Sequence, residues 1–586
     1  MKCFLLAFIL CSKILLAHSL TPFHPFYHHH LQIRSHILLH STSIKASPKI
    51  FQDYKEELMQ LAQISRNGDP NTPKQAMEVF SQMMEQFCDD EEAMDDDYEY
   101  SINDDQKIES LRPTTEIYNL VLQSLVSSPF KNYECTLQAI DILTQMEEAS
   151  EDYLEELGAR PNLQSYQFVM DGLISRRSPE QAEEIFQRLV KYSLNEESKS
   201  EFDEDDEDIE LQKINPHCRS VYHRRMKAWV SVSNSLRKKV YLSVETIYQE
   251  MMKHNIRPTA KTFSLRILAL SYTYPRPSRS LNIVTMAEEI YQEMLDLYQN
   301  EGYETCQPNL AVQNALLQIY AHHSSTSKTN EDSSSLKAVA LLQPMIQDFR
   351  NNLDSNSTVL NAASFIHTIN AMNQKNAKQA QIIASEKAIS LLRMMMKLYT
   401  STKKAEIKPN SKVYNAVLNT ISRSQEQSDE NGKTKAKLAQ DLLKEMELFS
   451  TSNEKDNFIV PNLRSYNLVM SACAFSKFST KDQNAQVCQI AMETFQACPD
   501  PDSITYGMFL KTCGKLMPSK NTKTSTVIQN IFHKCCQDGL LNDFVLSAFS
   551  KASSKEVRVD ILGLEDVRQM KLSDLDIPTK WSQNTY

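Results

Sequence analysis

Cysteine, histidine and carboxylate side chains are the residues of this sequence that could bind a metal or catalyse hydrolysis. The chain has 12 cysteines and 14 histidines. The cysteines are scattered without a CxxC pair, so their spacing does not fit a zinc site. Most lie in apolar, helix-like contexts, which favours small core residues in a reducing compartment. The histidine run 28–30 lies in a segment that we expect to be cleaved, so we predict neither a metal nor a cofactor.

The motifs of common catalytic centres are also missing from the sequence. There is no HExxH, no HxE followed by CxxC, and no glycine-rich phosphate loop in a chain with 9 glycines. We predict that the protein is not an enzyme. The segment 548–586 is too short to fold alone as a metal nuclease. We interpret its carboxylates as solvated surface residues: Asp560, Glu565, Asp566, Asp574 and Asp576.

The acidic residues are concentrated in two short segments. Residues 89–105 and 196–210 each hold ten acidic residues, with one lysine in the second. The formal net charge is −11, but without these segments the chain would be weakly basic. Dense acidic runs are typical of disordered, solvated insertions. The charge of the remainder therefore permits a nucleic-acid partner without requiring one.

The first 49 residues have the composition of a cleaved targeting leader. No acidic residue precedes Asp53. Residues 1–19 resemble a signal peptide, since their apolar run is too short and interrupted to span a bilayer. Residues 20–49 are rich in serine, histidine and basic residues, as in transit peptides. Two signals in series resemble the leader of algae with secondary plastids. We expect a plastid, with a mitochondrion as the rival and secretion third, and no membrane contact in the mature protein.

A helical pattern recurs between residues 50 and 547. Four apolar residues at i, i+3, i+4 and i+7 form one buried stripe of a helix. Nine such quartets occur, and seven begin with alanine. Alanine allows a neighbouring helix to approach closely, while the larger residues fill the space between helices. Clear examples are Ala139-Ile142-Leu143-Met146, Ala287-Ile290-Tyr291-Met294 and Ala439-Leu442-Leu443-Met446.

A turn and a first helix precede these quartets. The turn is a proline followed by a small polar residue that can cap the next helix. An aromatic residue then opens that helix. The resulting unit predicts an all-α fold, a solenoid superhelix of about ten helix-turn-helix repeats. Turns of this type are Pro161-Asn162, Pro216-His217, Pro308-Asn309, Pro409-Asn410, Pro461-Asn462 and Pro501-Asp502.

This order of signals resembles the pentatricopeptide repeat (PPR) family. The resemblance covers about residues 50–545 and is strongest at 409–446 and 461–510, in the segments KPNSKVYNAVLNTI and VPNLRSYNLVMSAC. Loops such as 323–335 and 424–436 make these units longer than is usual for the family. The chain is therefore similar to an algal-type PPR protein with long insertions between helices.

The resemblance implies binding of single-stranded RNA, one nucleotide per repeat. In the family, the residue after the helix-opening aromatic and the last residue of the repeat read the base edge. An Asn–Asp pair resembles a uracil reader, an Asn–Asn pair a pyrimidine reader and a Ser–Asn pair an adenine reader. Gln167 with His217 matches no familiar pair. The implied pairs are Asn119 with Asn162, Ser264 with Asn309, Asn415 with Asn462, and Asn467 with Asp502.

Two alternatives remain open from the sequence. Asparagine or serine early in a helix is often only a capping or surface residue. A tetratricopeptide-like scaffold that binds protein partners would also be built from helical hairpins. The favoured function is sequence-selective RNA binding in organelle RNA metabolism, by stabilisation, processing or translation. Other organellar RNA-processing proteins are then possible partners.

Overall fold

The computed structural model describes most of the chain beyond residue 50. Its described residues are 51–67, 69–92, 114–127, 133–151, 159–200, 214–232, 236–271, 283–322, 334–352, 359–373, 378–424, 434–452, 459–476, 480–517, 522–564, 571–575 and 577–585. The predicted leader 1–49 lies outside them, as does most of both acidic insertions. No strand occurs in these ranges, and the prediction of an all-α fold of helical hairpins is confirmed.

One compact unit extends to Arg257. Each odd-numbered helix of this unit packs against its own partner and against the next odd-numbered helix. Among its described residues are four hairpins: α1–α2 (Phe51–Asn67, Thr72–Glu92), α3–α4 (Thr115–Ser127, Tyr133–Glu151), α5–α6 (Leu163–Arg176, Pro179–Ser200) and α7–α8 (Arg219–Val230, Arg237–Lys253).

A second compact unit runs from Pro258 to the C-terminus. The same neighbour contacts link its odd-numbered helices. Its described hairpins are α9–α10 (Ala260–Ser271, Ile283–Gln299), α11–α12 (Leu310–His322, Ser334–Asn351), α13–α14 (Ala362–Ala371, Lys378–Thr402), α15–α16 (Ser411–Arg423, Lys435–Ser452), α17–α18 (Leu463–Ala474, Lys481–Ala497) and α19–α20 (Ser503–Leu516, Thr522–Gln537).

The apolar quartets of the even-numbered helices form the core of each hairpin. In α16, Ala439, Leu442, Leu443 and Met446 are each at most 4% exposed. Burial of each large side chain contributes roughly 1.5–3 kcal/mol, so each stripe makes a substantial contribution to the stability of its hairpin. No helix within the described ranges is long and apolar enough to cross a bilayer.

The aromatic residues that open the odd-numbered helices anchor them to the even-numbered helices. The Tyr414 hydroxyl donates to Glu445 at 2.9 Å, and the Tyr166 hydroxyl donates to Glu147 at 2.8 Å. Both rings are fully buried. Burial and the neighbouring carboxylate raise the pKa of each phenol, so both remain protonated donors. The sequence predicted the aromatic position but not its acidic partner.

The C-terminal segment continues the helical packing. Helices α21 (Asp543–Ala552) and α22 (Lys555–Leu562) follow the last hairpin, and residue 548, where the predicted tail began, lies inside α21. At Gly514 of α19, an added Cβ would lie 2.6 Å from the Cα atom of Ala552. The two helices therefore touch at the backbone. Trp581 packs edge-on against Phe532, and its carbonyl accepts from the Leu541 amide at 2.8 Å.

Candidate nucleic-acid interface

The polar residues that begin the odd-numbered helices are N-caps, and they position the candidate site. The side chains of Asn162, Asn361, Asn462 and Asp502 each accept the backbone N–H three residues later. The hydroxyl of a serine or threonine at that third position accepts from the backbone N–H of the N-cap residue, which completes a capping box. The capping interpretation of these residues is therefore correct, and it is compatible with a second role.

That second role comes from the neighbouring hairpin. Asn415 stands five residues after the N-cap Asn410. Its Nδ2 donates to Oδ1 of Asn462 at 3.3 Å, and its Oδ1 accepts from the Ser465 hydroxyl at 2.8 Å. Both ends of the Asn415 amide are thus fixed by the next odd-numbered helix. The structure places this predicted pair together.

The pair Asn467 and Asp502 has the same arrangement with a carboxylate as N-cap. Asn467 Nδ2 donates to Oδ1 of Asp502 at 3.0 Å, and the Thr505 hydroxyl donates to Oδ1 of Asn467 at 2.6 Å. All hydrogen bonds to the Asp502 side chain use Oδ1. Its Oδ2 accepts none within the described part of the chain, so this pair presents an acceptor.

In the first unit, Asn119 and Asn162 repeat the arrangement. Asn119 Nδ2 donates to Oδ1 of Asn162 at 3.2 Å, and the Ser165 hydroxyl donates to Oδ1 of Asn119 at 2.8 Å. Asn119 and Asn415 are each 7% exposed. Their N-cap partners are more exposed, so the N-cap is the more accessible member of both pairs.

Ser264 and Asn309 are not joined. The Ser264 hydroxyl donates to the Lys261 carbonyl in its own helix at 2.9 Å. Asn309 caps α11 by accepting from the Val312 amide at 3.2 Å. No hydrogen bond connects the two side chains in the part of the chain that the structure describes. The short serine side chain is satisfied locally and does not reach the next helix.

The structure adds one pair that the sequence analysis missed. Asn314 Nδ2 donates to Oδ1 of Asn361 at 3.2 Å, and the Ser364 hydroxyl donates to Oδ1 of Asn314 at 2.8 Å. Gln313 replaces the usual aromatic residue, which hid this pair. Counting five residues from the N-cap Asn309, rather than from an aromatic, would have found it.

Gln167 and His217 are a wrong pairing. The N-cap of α7 is Cys218, so the turn is displaced by one residue relative to the other hairpins. Gln167 Nε2 instead donates to the Ser220 hydroxyl at 2.8 Å. The His217 ring stacks on His254 near the end of α8. His217 therefore has no place beside Gln167.

The last hairpin lacks a polar residue at the corresponding position. Gly507 stands five residues after Asp502. A Cβ at Gly507 would collide with the ring of Phe544, which comes from the following helix. Phe544 is 37% exposed. An aromatic ring thus fills the space that an asparagine amide would need.

Residues on the same face complete the candidate interface in the second unit. Lys412 and Arg464 stand three residues before Asn415 and Asn467, a spacing that puts them on one helix face. Both cations are exposed. In α19 the equivalent residue is Ile504, which is 47% exposed. Cationic and apolar side chains therefore flank the amide pairs.

No family model matches the chain, and no curated protein matches it. The pentatricopeptide repeat protein PPR10 from maize is among the similar solved structures, at 14% identity and a TM-score of 0.36. The match covers 94% of this chain and 68% of that one.

Proposed function

We propose that the protein binds single-stranded RNA and that each amide pair contacts the edge of one base. The observation that carries this proposal is the recurrence of one polar pair at one helical position. Asn119, Asn314, Asn415 and Asn467 each bond the N-cap of the next odd-numbered helix. A capping role needs only the N-cap, so the second asparagine calls for another explanation.

The two kinds of pair offer different chemistry to a base. Oδ1 of Asn462 accepts the cap bonds, and its Nδ2 donates to no protein group among the described residues. This amide can donate to a base acceptor such as N3 of cytosine. Oδ2 of Asp502 can accept a base N–H, such as N3–H of uracil. We expect pyrimidine selection at both pairs, with uracil at Asn467 and Asp502.

The flanking side chains suit the rest of a nucleotide. Lys412 and Arg464 can contact phosphates, and a guanidinium can also stack on a base. Ile504 offers an apolar surface for a base face. Phosphate contacts make binding weaken with salt, with a slope set by the number of phosphates neutralised. Few cations lie on this face, so the slope should be shallow.

We place this activity in an organelle, on the composition of residues 1–49. By covering a short single-stranded segment, the protein would block nucleases or keep RNA structure open, which supports stabilisation, processing or translation. It performs no catalysis of its own in this proposal. Other organellar RNA-processing proteins would supply any chemistry.

The test exchanges an acceptor for a donor without changing shape. In Asp502→Asn the Oδ1 that caps α19 is retained, while Oδ2 becomes an amide N–H. Wild type and variant are each offered a random single-stranded RNA pool at moderate salt. We expect one position of the selected motif to change from uracil towards cytosine. Asp500→Asn is the matched control. It also removes one negative charge, but from an exposed residue two positions before Asp502.

The outcomes separate the candidate functions. A change at one position in Asp502→Asn alone supports base readout. If Asp502→Asn and Asp500→Asn select the same RNA motif, base readout by this pair is rejected. If RNA binding is only a background that vanishes with salt, the protein-scaffold function becomes the explanation.

A further inference from the structure

A cluster of potential metal ligands lies in the hairpin α7–α8 and includes no residue of the amide pairs. One ligand atom each from His217, Glu250 and His254 lies within 4.8 Å of the others. His217 precedes α7, while Glu250 and His254 are one turn apart at the end of α8. The spacing i, i+4 puts the latter two on one face.

Nε2 of His217 is the ring nitrogen without a hydrogen bond among the described residues. The other nitrogen, Nδ1, lies 3.0 Å from the Tyr222 hydroxyl. In the tautomer with the proton on Nδ1, that hydroxyl accepts and the lone pair of Nε2 stays available, as in histidines that ligate metals.

The charges around the cluster favour a cation. Arg225 is bound to Glu250 through two hydrogen bonds and to Glu183 through a third. One guanidinium and two carboxylates leave a net negative charge. The C-terminal end of α8 adds partial negative charge beside His254.

In the metal-free arrangement the two imidazole rings are parallel. Their centroids are 3.7 Å apart and their planes differ by 12°. Ring lone pairs lie in the ring plane, so parallel rings do not converge on one ion. His254 is exposed at the helix end, so its ring can rotate. The stacking that it gives up is small, about 1 kcal/mol for a ring pair.

We propose that His217, Glu250 and His254 form a zinc site, with water in the fourth position. Two imidazoles and a carboxylate are ligands of the type that Zn²⁺ accepts. Since the ligands come from the two ends of one hairpin, the ion would tie the start of α7 to the end of α8. Its effect is to stabilise this hairpin. No local sequence motif indicates this site, because Glu250 lies 33 positions after His217.

The experiment uses the full-length chain with the histidine run 28–30 changed to alanine, so that those side chains do not bind the added ion. The protein is stripped with a chelator and titrated with Zn²⁺ against a chromophoric competitor. We expect one tight equivalent and a raised Tm. Co²⁺ in place of Zn²⁺ should give the visible absorption of a four-coordinate site.

Variants distinguish ligation from surface binding. His254→Ala should weaken Zn²⁺ at least about 10-fold and abolish the Co²⁺ band, whereas His533→Ala, at an exposed histidine elsewhere, should leave both unchanged. Tyr222→Phe keeps the ring but loses the hydroxyl that bonds Nδ1 of His217, and should also weaken Zn²⁺ about 10-fold or more. Unchanged affinity in His254→Ala, or no tight equivalent in the parent chain, would overturn the proposal.

Discussion

Two regions of the molecule use the start of an odd-numbered helix in different ways. Along α15, α17 and α19, the N-caps Asn462 and Asp502 each cap their own helix and hold an asparagine of the preceding one. At α7 the N-cap is Cys218, whose side chain makes no cap hydrogen bond. That hairpin relies on a buried charge cluster around Arg225.

The difference shows how a shift of one residue changes the use of one scaffold. Where Asn or Asp is the N-cap, its side chain bonds an asparagine of the preceding odd-numbered helix. The pair is neutral with Asn462 and carries one negative charge with Asp502. With the turn displaced by one residue, His217 lies one residue before the N-cap, where its ring stacks on His254 and its Nδ1 bonds the Tyr222 hydroxyl. In the functions proposed above, the regular pairs would contact a repeated ligand, whereas the displaced turn would contribute to one local site.

The largest effect is expected at the charge cluster. Arg225 is 4% exposed and bridges Glu183 and Glu250. Arg225→Ala leaves two carboxylates without their cation and should lower the free energy of unfolding by about 3–5 kcal/mol. Arg224→Ala, which breaks a partly exposed pair with Asp171, should lower it by at most about 1 kcal/mol. Chemical denaturation of both variants checks this. Equal losses would mean that burial of the arginine is unimportant.

A smaller effect is expected from the double role of the N-cap. Asn462→Ala removes a cap, at about 0.5–2 kcal/mol, and one further hydrogen bond from Asn415, at about 1 kcal/mol. Asn309→Ala removes only a cap. The first variant should therefore be less stable than the second by about 1 kcal/mol in urea unfolding. Asn462→Asp keeps the acceptor and should match wild type. A loss no greater than that of Asn309→Ala would show that the pair adds no stability.

The missing cap at α7 can be restored. Cys218→Asn gives this helix the N-cap type of the other region and should raise the free energy of unfolding by about 0.5–1 kcal/mol. The measurement is the shift in urea midpoint at an unchanged slope. Cys218→Ala is the control, since it cannot cap. A destabilised Cys218→Asn would show that the displaced turn excludes the usual cap geometry.

The smallest effect is the contribution of the His217 cluster to the pH dependence of stability. The pKa of His217 is lowered by burial and by His254, so the folded state binds a proton less readily than the unfolded state. Its contribution to stability is complete above the unfolded pKa near 6.5 and is lost as pH falls through the lower folded value. Tm should drop between pH 7.5 and 5.5. His217→Gln should reduce that drop, and a drop that persists undiminished would assign it to other groups.

The sequence predicted the hairpins well because their signals are local. The quartet ending at Met446 and the turn at Pro461-Asn462 lie within a few residues of what they specify. Three of the four pairs that the resemblance implies are hydrogen-bonded in the structure, because their residues follow the same spacing. The missed pair and the wrong pairing have one cause. Positions were counted from the helix-opening aromatic residue, which Gln313 replaces in α11 and which the displaced turn at Cys218 shifts by one residue in α7. Contacts between hairpins, such as that of Phe544 with Gly507, depend on residues far apart in sequence.

The backbone contact between Gly514 and Ala552 bears on how such an array could grow. The junction of Asn415 with Asn462 is made by side chains, which a duplicated repeat would bring with it. The junction at Gly514 depends on the absence of a side chain in one helix and on a single methyl group in the next. A copy inserted after residue 537 would place a different helix against Gly514. Such an insertion would therefore need a residue as small as alanine at the position that faces Gly514.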